Sequence, residues 1–74
     1  MSEVLLLVLE NNDSAVVVNN EIVYALDGSD TGTPPVILGS NIARALGVTL
    51  KEFYLAVPPD ADWNWDDVLE LVPA

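Results

Sequence analysis

The apolar positions of this chain fall into short runs separated by turn residues, and the spacing changes part-way along. Val4-Leu5-Leu6-Leu7-Val8-Leu9 is a continuous apolar run bounded by Glu3 and Glu10. Its length and β-branched content fit a strand better than a helix. Asn11-Asn12-Asp13-Ser14 is a turn cluster, because Asn and Asp accept left-handed backbone and bond locally. Ala15–Val18 reads as a second strand. Asn19-Asn20 is a two-residue turn that closes a hairpin onto a third strand, Glu21–Leu26. Short connections make neighbours antiparallel, so the pattern predicts a three-stranded meander over about 3–10, 14–18 and 21–27.

These strands do not alternate apolar with polar. In the first, Leu5, Leu7 and Leu9 share one face and Val4, Leu6 and Val8 the other. A sheet with two apolar faces needs cover on both sides. Two arrangements supply it. Helices straddle the sheet, or they cover one face and the other meets a second copy or a partner.

Residues 27–35, Asp-Gly-Ser-Asp-Thr-Gly-Thr-Pro-Pro, have loop composition. Beyond them the period becomes helical. Leu38, Ile42, Ala45 and Leu46 share one face, and Gly47 is a stop signal. The helix starts at Pro35 or, capped by Ser40, about five residues later. Thr49-Leu50-Lys51-Glu52 has the form of a capping box. It predicts a helix over 50–57 with Leu50, Phe53, Tyr54 and Val57 inward, ended by Pro58-Pro59. A strand competes there, because Phe53, Leu55 and Val57 also alternate. A last helix over about 64–72 takes Asp62 or Asn64 as its cap, with Asp66 and Asp67 in the first turn, where the helix dipole favours anions. Trp65, Val68, Leu69 and Val72 form its apolar stripe. The expected order is β-β-β-α-α-α, a single α+β domain over 1–74 with two or three short helices (about 35/40–46, 50–57 and 64–72).

Ile42 to Phe53, through Gly47 and Thr49, resembles a stretch of the Xre/Cro helix-turn-helix proteins in its order of helix, Gly, short turn and capped helix. The resemblance implies a helical hairpin and, in that family, DNA reading. This chain departs from it by opening with strands. Its candidate recognition helix also offers only Lys51 to a base edge or phosphate.

Composition narrows the chemistry. Twelve Asp+Glu stand against two Lys+Arg, for a formal net charge of −10 and a pI near 4.1. There is no Cys and no His, so thiolate zinc sites, disulfides, thiol nucleophiles and histidine general bases are excluded. Direct phosphate binding is disfavoured with Arg44 and Lys51 alone. Yet 51% of residues are hydrophobic and mean hydropathy is +0.38, which argues for a folded domain with an acidic surface and against acidic disorder. No run approaches membrane-spanning length, and the opening lacks the basic start of a secretory signal, so the expected compartment is the cytoplasm.

Asp27-Gly28-Ser29-Asp30-Thr31-Gly32 has part of an EF-hand spacing, but Leu38 occupies the place of the bidentate Glu. Neighbouring Asp66 and Asp67 diverge by about 100° on a helix and do not form an acid/base pair. No nucleophile lies beside a base, so the expectation is a non-enzyme with no cofactor, metal or catalytic residue.

The distribution of acids is more informative. Residues 1–35 hold Glu3, Glu10, Asp13, Glu21, Asp27 and Asp30 without a base. Residues 58–74 hold Asp60, Asp62, Asp66, Asp67 and Glu70, again without one. Arg44, Lys51 and Glu52 lie between. Blocked charge either solubilises an apolar domain or steers it onto a basic partner. Trp63, within the second block, covers the core edge or stands exposed as an anchor.

The expected function is a protein-binding domain docking on a basic, nucleic-acid-binding protein. Candidate contacts are Asp60, Asp62, Trp63, Asp66, Asp67 and Glu70, with Asp27 and Asp30 as a second patch. In size and composition the chain resembles phage- or plasmid-encoded inhibitors, including DNA mimics and anti-CRISPR proteins. The alternatives are an assembly protein that homodimerises through an apolar sheet face, and an antitoxin-like regulator resting on the helical hairpin.

Overall fold

The computed structural model describes residues 2–72. Its elements are β1 (Val4–Leu9), β2 (Ser14–Val18), β3 (Glu21–Leu26), α1 (Pro35–Leu46), β4 (Leu50–Leu55) and α2 (Trp65–Glu70). The meander forms as the turn residues dictate. Asn19 and Asn20 both have positive φ, 50° and 69°, as a two-residue hairpin turn requires. Asn19 also ties the hairpin to the chain start: its Oδ1 accepts the Glu3 N–H and its own N–H donates to the Glu3 carbonyl, both at 2.9 Å.

The segment expected as a second helix is a strand. β4 lies parallel to β1, with Leu5 opposite Lys51 and Leu7 opposite Phe53. The sheet is therefore four-stranded and mixed, in the order β3-β2-β1-β4. The Thr49–Glu52 capping box is not used, and the helix-turn-helix likeness ends with it. The physical reason lies in β1. In a three-stranded meander this most apolar strand would be an edge with open backbone groups. Pairing with β4 makes it central, and the two-residue alternation of Phe53, Leu55 and Val57 outweighs the local helix signal.

Both faces of the sheet are covered by the chain's own helices. Val4, Leu6, Val16 and Ala43 form the core on the α1 side, with Leu50, Ile42 and Tyr24 packed around it. Leu5, Leu7, Leu9, Val17 and Val68 form the core on the α2 side, flanked by Phe53, Leu55, Val57, Trp63, Trp65 and Leu69. Leu6 and Val17, the positions that an open apolar face would expose, are 3% and 0% accessible. They are core residues of the single chain.

α1 seats differently from its expected apolar stripe. The buried positions are Pro35, Gly39 and Ala43, while Ala45 and Leu46 are exposed. Small side chains let the helix backbone come close to the sheet. A Cβ on Gly39 would lie 3.2 Å from Leu50 Cδ1 and 3.6 Å from Val16 Cγ2. Leu38 and Ile42 then wedge at the sides, half-buried. Pro35 starts the helix, where its missing N–H costs nothing. Gly47, at φ 72°, ends it: its N–H donates to the Arg44 carbonyl and that of Val48 to Ala43, a Schellman closure.

Candidate functional site

The topology decides which acidic residues meet. β1 and β4 are parallel, so Leu9 and Leu55 lie at the same end of the sheet. β2 starts at that end with Ser14, and β3 finishes there with Leu26 opposite it. The Glu10–Asp13 turn and the Asp27–Asp30 turn thus share one rim. Asp13 locks them together. Its Oδ1 accepts the Gly28 N–H at 2.8 Å, and its Oδ2 accepts Asn11 Nδ2 at 3.0 Å. Glycine is needed at 28, because a Cβ there would lie 2.7 Å from the Asn11 carbonyl oxygen. Asp13 is thereby a structural carboxylate, whereas Glu10, Asp27 and Asp30 are exposed.

The second patch is built on α2 and the turn before it. Asp60 Oδ1 accepts the Asp62 N–H at 3.0 Å, and the Asp60 carbonyl accepts the Trp63 N–H at 3.1 Å. Asn64 caps α2. Its Oδ1 accepts the Asp67 N–H, and Asp67 Oδ2 accepts the Asn64 N–H, each at 3.1 Å. The capping box sits here rather than at Thr49. Asp60 and Asp67 therefore spend one oxygen each on local structure. Asp62, Asp66 and Glu70 accept no hydrogen bond or ion pair among the described residues. Asp66 and Glu70 stand one helical turn apart on α2, with no base on the helix.

The sequence-predicted residues thus fall into two groups. Asp27 and Asp30 join Glu10 on the sheet rim. Asp66, Asp67 and Glu70 ride on the helix that covers one sheet face. Glu10 escaped selection from the sequence because its place on the rim depends on strand order. Trp63 is half-buried against the α2-side core and meets Trp65 edge to face, with centroids 5.3 Å apart and planes at 86°. It covers the core edge.

The cations lie elsewhere. Arg44 is in the last turn of α1, and Lys51 sits near the start of β4, towards the sheet end opposite the rim. Lys51 Nζ lies 3.5 Å from Glu3 Oε2, and both side chains are mostly exposed, so the pair contributes little stability. No charged side chain among the described residues is buried. The described Asp and Glu side chains nowhere gather in threes as a metal site would require, the Asp27–Gly32 loop included. No helix among the described residues is long and apolar enough to cross a membrane. No protein-family model, curated protein or solved structure matches the chain.

Proposed function

We infer that this chain is a non-enzymatic, acidic protein-binding domain that docks on a basic surface of a nucleic-acid-binding protein and blocks it. The observation that carries the reading is the separation of charge. The Glu10–Asp27–Asp30 rim, whose two turns are joined by the Gly28–Asp13 hydrogen bond, and the Asp62–Asp66–Glu70 patch both lie apart from the two cations. Such a field speeds encounter with a basic partner and weakens as salt screens it. The asymmetry of the helices supports the same reading. α1 carries Arg44 and no acid, while α2 carries Asp66, Asp67 and Glu70 and no base.

Carboxylates spaced along a rim and a helix would substitute for nucleic-acid phosphates in the partner's groove. An inhibitor of the DNA-mimic kind, which the chain resembles in size and composition, would act by that substitution. Two observations weigh against the alternative readings. An apolar sheet face for homodimerisation is covered by α1 and α2, and the helical hairpin of an antitoxin-like regulator is a helix and a strand.

The test is capture from a lysate at low and high salt, with DNA as competitor. The double variant Asp66→Asn/Glu70→Gln serves as control. Asp67 is left intact because it holds the α2 cap. The expected result is a basic nucleic-acid-binding protein retained at low salt, released by salt or DNA, and lost with the double variant. Retention indifferent to salt, DNA and the variant overturns the reading.

A further inference from the structure

The two edges of the sheet differ. On β3 the register shifts between Val16–Tyr24 and Val17–Ile22, leaving Val23 as an extra, bulged residue. A bulge is a common device for turning an edge away from new strands. β4 runs six residues without bulge or proline, and β1 is its only sheet neighbour. No backbone hydrogen bond joins its outer side to another segment among the described residues.

Its side chains alternate between the faces. Glu52 and Tyr54 sit opposite Leu6 and Val8 on the α1 side. α1 reaches β4 through Gly39 and Leu50, and leaves Tyr54 74% exposed. Tyr54 lines a cavity of about 390 Å³ together with Val8, Leu9, Leu55 and Glu10.

We propose that the β4 edge and this cavity bind an extended segment of a basic partner protein by strand addition, its Lys or Arg side chains meeting Glu52 and Glu10. The proposal rests on the acidic-docking reading and gives it a location. In strand addition the main chain supplies the bonds and alternate side chains supply the selectivity. Same-face side chains recur about every 7 Å on both strands. A segment with a cation at every second position therefore sets one beside Glu52 and the next at the Tyr54 cavity. There its aliphatic stem lies along the Tyr54 ring, and its charge reaches across β4 towards Glu10. The one cation of the edge, Lys51, faces the other side of the sheet, where Glu3 is its neighbour. A second copy of the chain suits the edge poorly. It brings another net charge of −10, and a symmetric antiparallel pairing centred on Glu52 sets two carboxylates face to face.

The probe is the peptide Lys-Val-Lys-Val-Lys-Val-Lys, compared with its fully N-methylated form, which keeps the charge but cannot donate main-chain bonds. Binding is followed at low salt by amide NMR and hydrogen exchange. The expected result is new protection of alternate amides within residues 50–55 and at least tenfold weaker binding of the methylated peptide. Tyr54→Ala and Glu10→Gln, both at exposed positions, are expected to weaken binding severalfold without loss of fold. Equal binding of both peptides, with shifts confined to the Asp27–Asp30 turn or α2, overturns the edge proposal and leaves the acidic-docking reading standing. Absence of binding by either peptide overturns both. Concentration-dependent protection of residues 50–55 in the chain alone assigns the edge to a second copy and overturns the proposal.

Discussion

α1 meets the sheet through Pro35, Gly39 and Ala43, small side chains spaced four apart. α2 meets it through Val68 and Trp65, with Trp63 packed just ahead of the helix. The first seat depends on the absence of side-chain volume, so that a backbone twelve residues long can approach closely. The second depends on its presence, because a six-residue helix has too few turns to hold itself. The ends differ in the same sense. α1 has no side-chain N-cap and closes on Gly47, whereas α2 is fixed at its start by Asn64 and Asp67. One sheet thus has a cover fitted by shape and another pinned at a few points. The charge lies on the pinned one.

The largest expected effect would erase the comparison altogether. Leu6→Asp or Val17→Asp buries an unpaired carboxylate on one face or the other, at a cost of about 3–5 kcal/mol. In a domain this small either variant is expected to unfold the chain, with loss of circular-dichroism signal. A soluble, folded variant that merely changes oligomeric state would show that the residue lies in an interface.

Two substitutions separate the seats. Val68→Ala removes the one fully buried side chain of α2, costing about 2 kcal/mol by lost transfer and cavity terms. Tryptophan emission is expected to shift red as Trp63 and Trp65 loosen, while α1 amides keep their exchange protection. Gly39→Val does the converse. Overpacking against Val16 and Leu50 costs about 1–3 kcal/mol. Exchange in α1 and at Leu50 is expected to speed up, with tryptophan emission unchanged. Identical responses from both variants would mean that the covers are one cooperative unit. Asn64→Ala tests the pin itself: loss of the cap is expected to cost about 1 kcal/mol, read as a lowered urea midpoint.

The smallest effect carries the sharpest sign. Asp66 and Glu70 repel one turn apart, so Glu70→Lys replaces repulsion with attraction. The expected gain is about 0.4–1 kcal/mol in stability. On the acidic-docking reading the same change weakens partner binding. Opposite signs in a melting curve and a binding titration would mark the acid as kept for function, and a stable variant that binds unchanged would mark it as solubilising.

Much of the fold was legible because turn chemistry is local. Asn19-Asn20, Gly47 and Asn64 each specify a backbone state within a few residues. At residues 50–55 local and long-range signals disagree. A Thr–Glu capping pair favours helix, whereas the alternation of Phe53, Leu55 and Val57 and the need of β1 for a second neighbour favour strand. The clue was present: a run apolar on both faces is typical of a central strand, and a meander would have put it at an edge. The apolar stripe of α1 was misplaced for a related reason. Hydrophobicity marks the large side chains, while close packing selected the small ones. The candidate site was legible as charge and illegible as place. Which carboxylates share a rim depends on strand order, and which are tied up in caps depends on geometry such as the Asp13–Gly28 bond.

The parallel pairing of β1 with β4 has a consequence for how the chain is made. Leu5 and Lys51 are neighbours in the sheet but distant in sequence. On the ribosome the amino-terminal hairpins emerge first, and β1 must wait with one side open until nearly fifty further residues have been added. During that interval the greasiest strand of the molecule is available to any neighbouring nascent chain. The six carboxylates of the first thirty-five residues emerge with it and carry no opposing base. Mutual repulsion between half-made copies would oppose edge pairing until the last strand arrives.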